Sequence, residues 1–456
     1  MSSSEAKSHP VAAGPTSPAA PHMSGKGTYR TWMLGLLAAA YALNLLDRQI
    51  INIVAEPLKR DLGLSDAQLG AVTGLSFALL YSVVAVPIAR VADRGNRVRV
   101  IGIAVLVWSA FTAASGAATN FVQLLAMRVG VGVGEAGCGP PSQSLIADEF
   151  PPEKRSSALA IFWLGAPVGA ALGLVAGGLL VSQIGWRWTV VAAGVPGLLV
   201  GALVLRTLRD PRLSRREAPP APPPLKTVLG RLLSRRPFVL VMLGCGLLSF
   251  TNYASMAFAA SFYLRVHKAQ LETLSTSLGL EPIAIIGLGL GLLGGAGGAI
   301  GAIVGGQLGN RLGSIDARWL VFISAIGSAL CAAGYFAMFS VPDVRASLCI
   351  FFIAGFFSNL WAGPGTLALQ RLAEAPTRAT ALAINLFVSS AIGLGLGPFL
   401  IGILSDHFAA IQGEADGLRT ALLCAPLAGL LSAACYFAAS IGLRRQISLA
   451  EKGETE

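Results

Sequence analysis

Charged residues are scarce in this sequence, and so are the groups that most metal sites and nucleotide sites need. Only 12% of the 456 residues are Asp, Glu, Lys or Arg, while 54% are hydrophobic. The four histidines (His9, His22, His267 and His407) lie in predicted tails and loops, without the spacing of metal ligands. No Walker phosphate loop is present, so ATP is not expected to supply energy. The sequence predicts no enzyme activity, metal or cofactor.

The sequence also lacks the signs of secretion and of a disulfide framework. All six cysteines fall inside apolar segments, where we expect small core residues rather than disulfides. Residues 1–30 are polar and rich in Pro, Ala and Ser, with no apolar core beside a cleavage site. A signal peptide is therefore not predicted, and we expect a disordered cytoplasmic tail there.

Long apolar runs dominate the rest of the chain. A helix needs about 20 apolar residues to cross the hydrocarbon of a bilayer, whereas the strands of a membrane barrel need about 10. The runs have the longer length and helical periodicity, so they predict an all-α integral membrane protein with twelve transmembrane helices. Their predicted limits are 31–53, 69–91, 98–117, 121–147, 157–181, 188–208, 238–265, 283–309, 318–340, 345–371, 379–405 and 418–443.

One long polar interruption divides these helices into two sets of six. Within residues 209–237, the APPAPPP run predicts extended chain, and LKTVLGRLLSRR has the apolar and basic spacing of a short helix at the cytoplasmic lipid surface. We therefore predict a bundle at 31–208, a linker at 209–237, a second bundle at 238–443 and a cytoplasmic tail at 444–456.

The two halves repeat one another. RSSALAI at 155–161 matches RATALAI at 378–384, and VADRGNR at 91–97 has a weaker partner in LGNRLGS at 308–314, at equivalent helix boundaries. Six helices repeated in one orientation predict a transporter of two pseudo-symmetric bundles, with its site between them. Glycines at four-residue spacing in the eighth helix predict close helix packing: Gly297, Gly301, Gly305 and Gly309.

Positive charge is distributed unevenly among the predicted loops. With the amino terminus placed inside, 25 of the 34 Lys and Arg lie on the inner side, 7 on the outer side and 2, Arg48 and Arg128, inside helices. This bias predicts that both termini are cytoplasmic. It also accounts for the net charge of +11 without nucleic acid as a partner.

Four charged residues fall inside predicted helices. Asp47 and Arg48 are adjacent in the first helix, and Arg128 and Glu135 lie seven residues apart on one face of the fourth. One interpretation is a structural ion-pair network that joins the two helices. The other is a switch, because desolvation favours a protonated carboxylate while a nearby arginine favours the ionised one. We favour the switch, since ionisable residues at membrane depth are usually functional.

Several motifs resemble those of the major facilitator superfamily. PIARVADRGNRVRV at 87–100 resembles its signature loop, with Ala89 where glycine is usual. The second-half copy, GGQLGNRLG at 305–313, keeps Arg311 but has Asn310 in place of the acid. The run from Arg128 through Gly132 to Gly134 resembles the fourth-helix motif, and the fifth-helix glycines resemble the antiporter motif with Leu174 in place of its proline.

A closer resemblance covers most of the chain. NLLDRQIIN at 44–52 and GEAGCGPPSQSLIADEFPPEKRSSALAI at 134–161 resemble the spinster family, whose members move sphingosine-1-phosphate and lysophospholipids. The resemblance implies the major facilitator fold, an amphiphilic anionic lipid as substrate, and proton coupling. The excess of Arg over Lys is typical of a GC-rich bacterial genome, so we expect a monomer among the lipids of a bacterial inner membrane. The resemblance also implies protonation or head-group contact at Asp47, Arg48 and Glu135.

Three groups of candidate residues follow. Proton coupling is assigned to Glu135 or Asp47. Substrate contact is assigned to arginines and a carboxylate of the first half, because guanidinium binds phosphate in a bidentate manner, and to polar and aromatic residues of the second half: Arg48, Arg128, Glu135, Asn252, Tyr253, Trp361 and Asn385. Gating is assigned to charges at cytoplasmic helix ends, where facilitators form salt bridges in the outward-open state: Asp93, Arg94, Arg97, Asp148, Arg155 and Arg311.

Other functions remain open at this stage. Drug or organic-anion/proton transporters share much of the same sequence frame. A membrane-embedded hydrolase would need a nucleophile and a base within reach of one another, and the sequence offers only Ser142 or Ser144 near Glu135. A receptor or scaffold is disfavoured by the internal repeat.

Overall fold

The computed structural model contains only helices among the regular elements of the part of the chain that it describes. Ten of these helices are long and apolar enough to cross a membrane. One of them, Pro152–Thr207, holds two spans joined at Gly185, whose φ of 74° is left-handed and interrupts the helix. The described residues are 24–76, 84, 87, 88, 90–92, 95–214, 225–374 and 377–452.

The two halves contain equivalent sets of helices. In the first half, α1 is Ser24–Ile53, α2 begins as Asp66–Gly70 and continues as a π-helix at Ala71–Leu75, α3 is Arg97–Ser115, α4 is Phe121–Glu135 with Gly139–Glu149, and α5 and α6 share Pro152–Thr207. Together with α7 to α12 below, they form the predicted twelve-helix arrangement.

The second half follows the same order. Here α7 is Arg236–Val266, α8 is Pro282–Gly289, the π-helix Leu290–Gly294 and Gly295–Ile315, α9 is Arg318–Ser340, α10 is Val344–Asn359 with Ala362–Arg371, α11 is Arg378–Ser389, the π-helix Ser390–Leu396 and Gly397–Gln412, and α12 is Glu414–Ala439. Shorter helices are Ala55–Leu62, Leu225–Ser234, Lys268–Leu278 and Leu443–Lys452.

Most predicted limits agree with these helices, but two expectations need correction. Residues 24–30 form the first turns of α1 instead of belonging to a disordered tail, while residues 1–23 lie outside the description. The predicted continuous helices at 121–147 and 345–371 are each interrupted.

The interruptions lie at equivalent places in the two halves. The first segment of α4 ends at Glu135, and the first segment of α10 ends at Asn359. A proline follows each break, Pro140 in α4 and Pro364 in α10, where the early turns of a helix tolerate a residue without an N–H group. The breaks place irregular backbone beside Glu135 and at Trp361, as in transporters whose sites are built on discontinuous helices.

Three clusters of buried apolar residues show how the bundles meet. We use the name terminal face for the face at which α1 begins and α12 ends. The opposite face is the one at which α1 ends and α2 begins. One cluster, at the opposite face, draws on both bundles, with Ile53 and Leu69 from the first and Phe258 and Ile286 from the second. The other two lie toward the terminal face, and within the described residues each of them belongs to one bundle. Among the described residues, a buried apolar cluster therefore joins the bundles at the opposite face, whereas each cluster toward the terminal face belongs to one bundle.

Glycines allow close approach where the bundles are joined. Gly74 of α2 lies against the Leu394 carbonyl of α11, and Gly178 of α5 lies against Gly287 of α8. A Cβ atom at either glycine would collide with the neighbouring backbone, so only glycine permits these distances. The α2–α11 and α5–α8 seams are both closed near the opposite face.

The terminal face of the second bundle is covered by two short helices. Val228 and Leu232 of the linker helix and Leu443 and Ile447 of the last helix are buried in the same apolar cluster. The proline run of the linker falls in residues 215–224, outside the described part of the chain. The six cysteines are free.

Candidate functional site

An ion pair buried between α1 and α4 lies at the centre of the first bundle. Arg48 Nη2 is 2.7 Å from Glu135 Oε2, and Arg48 Nε donates a hydrogen bond of 2.8 Å to the same oxygen. The Glu135 side chain is fully buried, whereas the Arg48 side chain is 18% exposed. The arginine is therefore the more accessible partner of the pair.

Asp47 contacts a different helix from its neighbour Arg48. Its Oδ2 accepts a 3.0 Å hydrogen bond from the hydroxyl of Thr112 in α3. This divergence follows from the turn of about 100° between adjacent helix residues. Sequence reasoning did not identify Thr112, because nothing in the local pattern of α3 marks it as a partner of α1.

Arg128 completes a group of two acids and two bases. It is 2% exposed and interacts electrostatically with both Asp47 and Glu135. Within the described residues, Asp47 Oδ1 and Glu135 Oε1 are buried without a hydrogen-bond partner. A buried acceptor without a partner is costly unless it receives a proton or a donor, so both acids can bind a proton or a polar ligand group.

Two of the predicted gating residues, Arg97 and Asp148, form an ionic cluster with the linker. Arg97 is fully buried, and its Nη1 lies 2.7 Å from Asp148 Oδ2. Its Nε also donates to both carboxylate oxygens of Asp210, at the start of the linker, while Arg212 Nε donates to Asp148 at 2.8 Å. This cluster attaches the linker to α3 and α4.

The linker carboxylate is held in its ionised form. Burial alone raises the pKa of Asp210, but hydrogen bonds from Arg97 and from the Arg212 backbone reverse that effect and lower the pKa below its usual value.

The other gating candidates are at the periphery. Arg155 donates a 3.0 Å hydrogen bond to the Phe150 carbonyl, and Arg311 is exposed on α8. Asp93 and Arg94 lie outside the described residues. The gating assignment of all six residues stays a prediction.

Candidate contacts in the second bundle are less polar. Asn252 accepts a 3.7 Å hydrogen bond from Cys331 of α9, so it takes part in packing within its bundle. Its neighbour Tyr253 is 36% exposed. Trp361 lies in the break of α10. It packs against the apolar cluster shared by both bundles and against the second bundle's cluster toward the terminal face. Asn385 is on α11, with a buried Oδ1 that has no hydrogen-bond partner among the described residues.

Sequence reasoning missed an ionic cluster that joins the bundles at the opposite face. Arg265, at the end of α7, binds Glu56 at 2.7 Å and Asp66 at 2.8 Å. Asp406 of α11 accepts hydrogen bonds of 2.8 Å from the backbone N–H groups of Asp66 and Ala67. The only sequence signal was the presence of acids beside basic residues at predicted helix ends.

Known membrane transporters are similar to this chain over most of its length. Residues 37–398 match the family model described as Major Facilitator Superfamily. An MFS-type efflux pump of Mycolicibacterium smegmatis is 34% identical over 432 residues, which cover 93% of this chain and 96% of that protein. Protein spinster homolog 1 of Homo sapiens is 27% identical over 92% of this chain and 83% of its own length. Sphingosine-1-phosphate transporter SPNS2 of Danio rerio is 26% identical over 82% and 75%, respectively.

Solved structures show the same relationship. The crystal structure of a bacterial homologue of the human lysosomal transporter spinster, in an inward-facing and unoccupied conformation, aligns with a TM-score of 0.80 and 29% identity. The alignment covers 92% of this chain and 98% of that chain. A D-xylose-proton symporter shares the fold, with a TM-score of 0.66 and 16% identity.

Proposed function

This chain belongs to the major facilitator superfamily, and we propose that it carries an amphiphilic, anionic lipid across the membrane by alternating access coupled to protons. The superfamily and the spinster relatives make the protein a multi-pass membrane transporter and not an enzyme. The lipid, the proton and the direction of transport are the proposed elements.

The buried Arg48–Glu135 ion pair is the observation that carries the proposal. A guanidinium can bind either the Glu135 carboxylate or the phosphate of a lipid head group. A proton on Glu135 removes its negative charge and releases Arg48 for the lipid, while a lipid on Arg48 leaves Glu135 free to take a proton. Two cargoes that share one charge are coupled, because each changes the affinity for the other.

An amphiphile also fits the unequal polarity of the two bundles. The central charges, Arg48, Arg128, Asp47 and Glu135, all belong to the first bundle. In the second bundle, we assign the lipid tail to two aromatic residues, Tyr253, which is exposed, and Trp361 at the α10 break. The spinster homologue SPNS2 is a sphingosine-1-phosphate transporter, which supports a lipid with a phosphate head for this chain.

We place the terminal face in the cytoplasm of a bacterium, with the protein a monomer in the inner membrane. The excess of Lys and Arg in the loops of that face supports this orientation. In that orientation the shared apolar cluster and the ion pairs between the bundles lie on the outer side, which supports the inward-open half of the cycle.

A second candidate is proton-coupled export of drugs or organic anions. The efflux pump of Mycolicibacterium smegmatis supports it through its 34% identity. The same arginine and carboxylate could couple an organic anion to protons. Competition between a lysolipid and a drug for transport would distinguish the two candidates.

Transport by purified protein in proteoliposomes tests the proposal. With sphingosine-1-phosphate as the labelled probe and an imposed pH gradient, we expect uptake by the wild type that stops when the gradient is collapsed. Glu135→Gln, which has the shape of the protonated acid, should bind the probe and lose gradient-driven uptake, while exchange of probe across the membrane continues. Glu153→Gln, on an exposed residue at the start of α5, is the matched control and should behave as the wild type.

Two results would contradict parts of the proposal. Wild-type uptake that does not depend on the gradient would exclude proton coupling. Full gradient-driven uptake by Glu135→Gln, together with its loss in Asp47→Asn, would assign the proton to Asp47 instead.

A further inference from the structure

At the opposite face, each bundle contributes one carboxylate that accepts hydrogen bonds from the other bundle. Asp66 of the first bundle accepts hydrogen bonds from Arg265 at 2.8 Å and from the Ser405 hydroxyl at 2.7 Å, both in the second bundle. Asp406 of the second bundle accepts two from the backbone of Asp66 and Ala67, at 2.8 Å each. Each bundle therefore supplies an acid to donors of the other.

A second acid extends this contact along the interface. Glu56, in the short helix after α1, binds the same Arg265 guanidinium at 2.7 Å. Lys59 lies 2.9 Å from Asp66 and holds it from within the first bundle. The side chains of Arg265, Glu56 and Asp66 are only 4%, 3% and 2% exposed, so the pairs are shielded from water and from salt.

Close backbone packing positions the acids. Gly402 of α11 lies against the carbonyl of Asp66, and Gly70 of α2 lies against Pro398. Asp406 follows Gly402 by four residues, about one helical turn, which brings its carboxylate beside the first N–H groups of α2. The glycine contacts and the carboxylate contacts therefore depend on the same approach of α2 to α11.

We propose that Arg265 and Asp406 form an outer latch that stabilises the inward-open state and opposes opening toward the outside. The proposal rests on the alternating access of the proposed function, and not on its lipid or its proton. To open the opposite face, the two bundles must rock apart there. That motion must break the bonds of Arg265 to two acids and the bonds of Asp406 to two amides together.

Spin-label distances across the opposite face test the latch. Labels at Thr119, between α3 and α4, and at Thr276, in the helix after α7, are exposed and lie one on each bundle. In a background without the native cysteines, we expect the unmodified latch to give mainly the short distance. Arg265→Gln removes a buried charge pair, and Asp406→Ala removes two hydrogen bonds to a carboxylate. Each should raise the population of a longer distance about tenfold.

Matched controls exclude a general effect of removing charge from this face. Arg419 donates to the carbonyls of Phe339 and Ser340 within the second bundle, and Asp61 pairs with Arg187 within the first. Arg419→Gln and Asp61→Asn should therefore keep the unmodified distances. Equal changes in the controls and the latch variants would overturn the proposal.

A conservative variant guards against misfolding. Asp406→Asn keeps one acceptor oxygen, so it should shift the distances in the same direction as Asp406→Ala but less. Unmodified distances in Asp406→Asn and Arg265→Gln together would overturn the latch. Because the distances are measured without lipid or pH gradient, failure of the latch and failure of the proposed cargo are separate results.

Discussion

At the scale of single residues, the adjacent pair Asp47–Arg48 divides its contacts between two helices. Asp47 bonds Thr112 of α3, and Arg48 bonds Glu135 of α4. One helix thereby holds an acid against α3 and a base against α4. A charged residue at this depth is costly, and the cost is reduced because each charge has an opposite charge nearby.

Removal of the Arg48 side chain should discriminate between lipid head groups. We expect Arg48→Ala to weaken binding of sphingosine-1-phosphate about tenfold to a hundredfold, because a hydrogen bond to a charged group contributes about 1.5–3 kcal/mol. Binding of neutral sphingosine-like amphiphiles should change much less. The measurement is ligand-dependent thermal shift or calorimetry in detergent.

Arg345→Ala provides the control for this prediction, since Arg345 is exposed at the start of α10 on the opposite face. It should leave both affinities unchanged. Equal losses for the phosphate lipid and the neutral amphiphile in Arg48→Ala would show that Arg48 is only structural.

At the scale of helices, α8 and α10 form a seam of direct backbone contact. Gly301 of α8 lies against the carbonyl of Phe356, and Gly305 lies against that of Leu360. In lipid no hydrophobic effect drives helices together, so close van der Waals packing stabilises such seams. The predicted packing role of these glycines agrees with this geometry, and the seam supports the break of α10 that follows at Trp361.

Neighbouring glycines of α8 should respond differently to the same change. Gly305→Ala places a methyl group into the α10 backbone and should destabilise the protein by about 1–3 kcal/mol, as overpacking does elsewhere. Gly306→Ala has open space at its Cβ position and should leave the melting temperature unchanged or slightly raised. Thermal unfolding in detergent measures both. A similar loss in both variants would contradict the packing role of Gly305.

At the scale of the whole molecule, the two faces differ in how the bundles are connected. The opposite face has an apolar core shared by both bundles and the ionic contacts of the outer latch. Toward the terminal face, the two apolar clusters belong to separate bundles, and the Arg97 cluster binds the linker to the first of them. This asymmetry is what an alternating-access transporter needs in order to open on one side at a time.

The charge of Asp66, which binds Arg265 of the outer latch, should not change over the pH range in which transport is measured. Asp66 precedes the apolar run of α2; burial alone raises the pKa of its carboxyl, but Arg265, Ser405 and Lys59 together lower the pKa to about 2. An acid with a lowered pKa stabilises the folded contact fully above its unfolded pKa of about 3.9, and that contribution is lost only as the pH falls through about 2. Glu56, Lys59, Arg265 and Asp406 are the charged groups that face it.

We therefore expect no pH response of the Arg265–Asp66 contact between pH 8 and pH 5. In the double variant Glu135→Gln with Asp47→Asn, the central acids cannot titrate, and the Thr119–Thr276 label distances should be the same at both pH values. The wild type, in contrast, should change with pH. A pH-dependent change in the double variant would show that a group other than the two central acids titrates in this range and moves the bundles.

Much of this molecule follows from local features of the sequence. A run of about 20 apolar residues can satisfy its backbone in a bilayer only as a helix, so the number of helices and the division into two halves could be predicted. Arg48, Arg128 and Glu135 were identifiable because a charge within such a run needs a function or a partner. Family membership followed from the motifs, since their residues are close together in the chain.

The contacts between distant segments were decided only by the tertiary structure. Arg265 and Asp66 are 199 residues apart, and Arg97 is 113 residues from its partner Asp210. Helical periodicity fixes which residues share a face, but the rotation of one bundle against the other fixes which faces meet. A transporter that works by alternating access populates two relative orientations of its bundles with the same sequence, because the free energies of the two conformations are similar. The sequence therefore determined the helices and the buried charges, and the packing of the bundles determined which face is closed.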